Sequence, residues 1–160
     1  MALPLPRPVF DTASGAAAFG DLPEWDLTDL YAAPDTPKLR EDMDWLEAEC
    51  ADFAASYQGR LADLDAGGLL DVVRRYERID TVAGRLMSYA GLRYYQNTMD
   101  SARAKFLSDC QDKITTFTTP LVFFSLELNR IDDAALEARF AENAELARYK
   151  PIFERIRAMR

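Results

Sequence analysis

The chain has 160 residues, 49% of them hydrophobic and 29% charged, and 27 acidic against 19 basic side chains set its net charge at −8. That length supports one compact core, while the negative charge repels phosphate backbones and anionic lipid, arguing against nucleic-acid and membrane-surface partners. No histidine is present, which excludes serine–histidine and cysteine–histidine nucleophilic pairs, histidine-ligated haem and the Glu-x-x-His sites of di-iron bundles.

Residues 1–21 mix Pro, Ala, Gly and Ser with little periodicity, and they predict a flexible N-terminal arm without a secretory core. No run approaches the ~20 apolar residues needed to span a bilayer. Cys50 and Cys110, far apart in sequence, lack the close pairing of structural zinc or small disulfide scaffolds. A soluble protein in a reducing, cytoplasmic setting is expected.

Trp25, Leu27, Leu30 and Tyr31, bounded by Pro23 and Pro34, form an apolar cluster expected to anchor on the body of the domain rather than to make a site. Thr36 before Pro37 reads as a helix start, because threonine caps exposed amides and proline lacks the N–H that a first turn leaves unpaired. Leu39, Met43, Leu46, Cys50, Phe53 and Tyr57 then share one helical stripe, which Gly59 ends.

A second helix is predicted from about Asp65–Leu69 to about Asn97. Leu69, Val72, Tyr76, Ile79, Ala83, Leu86 and Ala90 keep heptad spacing, and Val73, Val82, Met87, Tyr89 and Tyr94 widen the apolar surface, so this helix needs neighbours on more than one side. Ala83, Gly84, Ser88, Ala90 and Gly91 are small. Each glycine costs about 1 kcal/mol of helix propensity, and close approach of another backbone is the expected compensation.

Asp100 is expected to cap a third helix from Ser101 to about Asn129, with Leu107, Cys110, Ile114, Phe117, Leu121, Phe124 and Leu128 on its apolar stripe. Only Thr98, Met99 and Asp100 separate helices two and three, so a long antiparallel hairpin is predicted. Pro120 is expected to kink the third helix, with Thr115, Thr116, Thr118 and Thr119 taking up freed carbonyls. Packing accommodation is favoured over a channel-shaping role for that bend.

Asp132 then caps a shorter helix carrying Leu136 and Phe140, Asn143 starts a turn through Leu146 to Tyr149, and Pro151 opens a last helix, Ile152 to Arg160. Nothing after Arg160 resembles a C-terminal cap, so this helix is expected to continue. The fold class is all-α: a long helical hairpin plus further helices in a bundle-like domain.

The candidate chemical residues are few. The carboxylate pairs Glu47 with Glu49, Asp132 with Asp133 and Glu142 with Glu145 sit on surface or cap positions, where solvated or helix-dipole roles are favoured over acid–base work. Cys50 and Cys110 lie in apolar seams and read as buried hydrophobes rather than thiolates. Tyr89, Tyr94 and Tyr95 suit a peptide-binding surface, though helix packing is favoured. Arg148, Lys150, Arg155, Arg157 and Arg160 face only Glu154, for which internal or interdomain ion contacts are favoured over an anion site. No catalytic or metal residue is assigned.

Four segments in order, Trp25-Asp-Leu-Thr-Asp-Leu-Tyr31, Gly84-Arg-Leu-Met-Ser-Tyr-Ala-Gly91, Phe124-Ser-Leu-Glu-Leu-Asn-Arg130 and Leu146-Ala-Arg-Tyr149, resemble the N-terminal region of oligoendopeptidase F over residues 22–160. None is a catalytic signature; the series carries the likeness. The resemblance implies a cytoplasmic, mostly helical zinc metallopeptidase of the thimet-oligopeptidase-like group that cuts short peptides inside a channel. In that family a His-Glu-x-x-His helix supplies two zinc ligands and the general base. No such motif occurs here. The resemblance therefore implies that residues 22–160 are a non-catalytic N-terminal domain. Its partners would be the parent chain's catalytic domain and an oligopeptide substrate, with zinc held elsewhere in the parent. The alternative is a free-standing helical protein-interaction module.

Overall fold

The computed structural model describes residues 24–158, so the expectations for the 1–21 arm and for Arg160 lie outside the described residues. Those residues form helices joined by short turns, with no strand among them. Helix α1 (Pro37–Tyr57) starts where Thr36 Oγ1 accepts from the Leu39 amide at 3.4 Å, and it leads into Gly59 at φ +81°, a conformation that favours glycine. After a 3₁₀ turn at Leu61–Asp63, Asp65 caps α2 (Ala66–Gln96) by accepting from the Gly68 amide at 2.7 Å. Asp100 accepts from the Ala102 and Arg103 amides to start α3 (Ser101–Thr118). Asp132 caps α5 (Asp133–Glu142), and Asn143 caps the single turn α6 (Ala144–Ala147).

The stripe of α1 faces the core as its spacing predicts: Leu39, Met43, Leu46, Cys50 and Phe53 are buried, with Tyr57 packed at the margin. Phe53 is the aromatic hub. Its ring lies 5.1 Å from Tyr57, 5.8 Å from Phe124 and 6.0 Å from both Tyr76 and Phe123, while Tyr76 stacks on Phe124 at 4.1 Å. Three helices thus meet at one side chain whose burial alone contributes about 1.5–3 kcal/mol. Helix α2 packs on several sides, since Leu69, Val72, Val73, Ile79, Val82, Leu86, Tyr89 and Ala90 are all buried. Tyr89 meets Phe106 of α3 at 6.1 Å, just past the 97–100 turn.

At Pro120 the third helical stretch does more than bend. It ends at Thr118, passes through a 3₁₀ turn at Thr119–Leu121 and resumes as α4 (Val122–Arg130). Proline removes one amide donor and crowds the carbonyl four residues earlier, so the helix changes its winding locally. Thr118 Oγ1 donates to the Ile114 carbonyl at 2.8 Å and Thr119 Oγ1 to the Thr115 carbonyl at 2.6 Å, holding the last turn of α3 together. The apolar stripe survives the break, because Cys110, Ile114, Leu121, Phe124 and Leu128 all reach the core.

Three expectations need correction. Among the described residues no backbone closes on Gly84 or Gly91 of α2: a Cβ at Gly84 would meet nothing within 4 Å, and one at Gly91 only Tyr95 Cε2 at 3.9 Å. Trp25 is not a packed anchor, being 69% exposed, whereas Tyr31 is buried and Leu27 and Leu30 pack partly against the core. The last described helix, α7 (Lys150–Arg157), begins at Lys150 rather than Ile152, with Pro151 within its first turn. There the proline's missing N–H costs no intrahelical bond.

Candidate functional site

The one buried charged side chain among the described residues is Asp42, on α1. It accepts from Tyr31 Oη at 2.8 Å and from Lys38 Nζ at 2.5 Å, with Arg85 Nη1 at 3.7 Å. Desolvation raises its pKa, but the bonds from Lys38 and Tyr31, aided by the Arg85 charge, outweigh it and leave the carboxyl below its usual value. Burial and the Asp42 carboxylate push the Tyr31 phenol well above its ordinary range. Tyr31 also sets its ring 5.3 Å from Tyr89, edge to face. Every group here has a partner. The cluster is a clamp that pins the 24–31 segment to α1 and α2.

Sequence reasoning found Tyr31 and missed Asp42 and Arg85. The Lys38–Asp42 spacing of four was a visible signal for a helix-surface pair, but nothing local showed that Tyr31 would cover it. A second missed residue is Glu127, whose carboxylate accepts from the Gly59 amide at 2.6 Å and the Leu61 amide at 3.3 Å, tying α4 to the turn after α1.

The candidate carboxylates are not gathered into one site. Glu49 pairs with Arg75 at 2.7 Å, and Glu47 is exposed. Asp132 is a cap, Asp133 pairs with Arg157, Glu145 pairs with Arg74, and Glu142 is exposed on the end of α5. Both cysteines are buried; desolvation pushes Cys50 up to about 11 and raises Cys110 as well, so neither is a ready thiolate. Of the tyrosines, Tyr89 is core, Tyr94 is half-buried and Tyr95 stands exposed. The basic end is partly spent on internal contacts. Lys150 reaches Glu137 at 2.8 Å, and Arg157 donates to the Leu128 carbonyl at 3.0 Å and the Ile131 carbonyl at 2.7 Å, closing the end of α4.

The open side of α2 carries a groove instead. One section, about 490 Å³, runs between Ala83, Gly84 and Met87 of α2 and Ile114, Thr118 and Val122 across from it. The next, about 410 Å³, continues past Tyr76 and Asp80 to Ile152 and Ile156 of α7. Val122 and Ile152, which line it, are exposed large apolar side chains, as is Leu126 on α4. Such a surface can cover another apolar surface or guide an extended chain.

No family model, curated protein or solved structure matches the chain. The chain has no histidine, and the described residues hold no cluster of three or more Cys, Asp or Glu placed to bind a metal. No helix among the described residues is long and apolar enough to cross a membrane.

Proposed function

We propose that this chain is the non-catalytic N-terminal helical lobe of a cytoplasmic zinc metalloendopeptidase similar to oligoendopeptidase F, serving as scaffold and substrate-channel wall. The observation that carries the reading is where the four family-like segments lie. Tyr31 from the first packs on Tyr89 from the second, and Arg85 of the second approaches Asp42, the residue that Tyr31 holds. Phe124 and Leu128 of the third are core, and its Glu127 closes the turn after α1. Leu146 of the fourth is fully buried, and its Tyr149 donates to Glu77 at 2.8 Å. Each of the four segments places at least one residue in the core, which supports an architectural contribution. The groove along α2, α4 and α7 is then the face that meets the parent's catalytic domain and the oligopeptide it receives, while that domain supplies the zinc.

Reading the gene past codon 160 tests this directly. A helix-forming His-Glu-x-x-His sequence within the next several hundred codons is expected; a stop codon, or a long extension without that motif, overturns the assignment. The exposed Val122, Leu126 and Ile152 favour one second reading, a free-standing module that binds a partner protein through the groove. The same gene reading separates the two.

A further inference from the structure

A separate pocket lies at the C-terminal end of α2, on the segment that leads into the Tyr31 clamp. It encloses about 320 Å³ between Glu24, Trp25 and Leu27 on one side and Leu92, Tyr95 and Gln96 on the other. Trp25 and Tyr95 are 69% and 71% exposed, unusual for side chains of that size and chemistry. The wall they form is held in place by a relay. Arg103 Nη1 donates to Gln96 Oε1 at 3.2 Å and to the Arg93 carbonyl at 3.0 Å, and Gln96 Nε2 donates to the Trp25 carbonyl at 3.0 Å. Gln96 is thereby oriented from α3 and fixes the Trp25 backbone against α2.

We propose that this pocket binds an organic cation, an alkylguanidinium or alkylammonium group, between the Trp25 and Tyr95 rings. Three features favour that charge and chemistry. Aromatic faces attract guanidinium and ammonium groups through their ring quadrupoles, tryptophan most strongly. The Glu24 carboxylate lines the pocket and has no hydrogen-bond or ion-pair partner among the described residues. The pocket sits at the C-terminal end of a 31-residue helix, where the macrodipole is negative. Arg93 stands in the last turn of the same helix, and Arg103, across from it on α3, is offset by Asp100 at 3.4 Å. Leu27 and Leu92 supply apolar surface for the alkyl stem that carries the cationic head. The inference stands independently of the peptidase reading, since it concerns this chain alone.

Titration of the whole chain with agmatine and with N-acetylarginine amide, followed by tryptophan fluorescence and calorimetry, tests it. Both cations are expected to give a saturable fluorescence change and a saturable heat; Trp25→Phe removes the reporting indole, and calorimetry is expected to show the affinity about two- to five-fold weaker in that variant. Glu24→Gln and Tyr95→Ala are each expected to weaken binding about two- to five-fold, the size of a surface ion pair or an exposed cation–π contact. Binding of agmatine alone identifies a free amine as the source, and binding of the amide alone a peptide-borne side chain; either supports the cation site. Absence of saturation by both overturns the proposal. Equal binding of the neutral 1-pentanol, or affinity unchanged in Glu24→Gln, also overturns it by reducing the pocket to an apolar surface.

Discussion

Helix α2 has one side that is sealed and one that is open. Against α1 and the 24–31 segment, its side chains meet Phe53, Tyr31 and the Asp42 clamp, and the charged group taken from water there is fully partnered. Toward the end of α3 and α4, the same helix presents Ala83, Gly84 and Met87 to a groove with an exposed apolar rim at Val122. The sealed side is where cooperative stability resides, because packing and desolvated hydrogen bonds reinforce each other there. The open side has a buried floor, which includes Ile79 and Phe124, but its rim at Val122 and Ile152 is exposed and free to serve a contact.

Phe53→Ala attacks the sealed side at its hub and is expected to cost about 3–5 kcal/mol, read from urea denaturation. A cost near that of a surface substitution would show that the hub is not where the helices are held. Tyr31→Phe keeps the ring and removes one hydrogen bond to an ionised acceptor, with an expected loss of about 1.5–3 kcal/mol. The same clamp sets a pH dependence. Asp42 binds its proton less readily folded than unfolded, so its contribution is present above the ordinary value of 3.8 and is lost as the pH falls through the lower folded value. The drop in stability between pH 6 and pH 3 is therefore expected to be smaller in Asp42→Asn than in the parent chain; an equal or larger drop would remove Asp42 from the acid response.

On the open side the expected effect is smallest and opposite in sign. Gly84→Ala adds a Cβ where nothing lies within 4 Å and narrows the unfolded ensemble, so thermal stability should rise by about 0.5–1 kcal/mol. Destabilisation instead would mean that another surface occupies the groove in solution, and the contrast between the two sides would fail.

Much of the sealed side was legible in the sequence. Thr36, Asp100, Asp132 and Asn143 mark helix starts because capping is a local exchange between a short polar side chain and amides two or three residues on. The α1 stripe and the α3–α4 stripe followed from spacing alone, across the break at Pro120. Asp42 was not legible, because it lies beside the stripe and looks like any solvent-facing carboxylate until Tyr31 folds over it. The exposure of Trp25 was equally hidden: its size and neighbours suggested an anchor, and Tyr31, six residues on, took that role. The glycines of α2 suggested a close neighbour, and the described residues place none against Gly84.

Helix positions, their caps and the residues turned inward were therefore determined by the sequence itself, since each depends on interactions within a few residues and on a period of 3.6. Tertiary structure alone decided which polar group would be enclosed, which aromatic would stay in water and which side of α2 would remain uncovered. Those outcomes join residues as distant as Tyr31 and Tyr89 or Gly59 and Glu127. Local spacing carries no information about which segments meet, and burial is a property of that meeting.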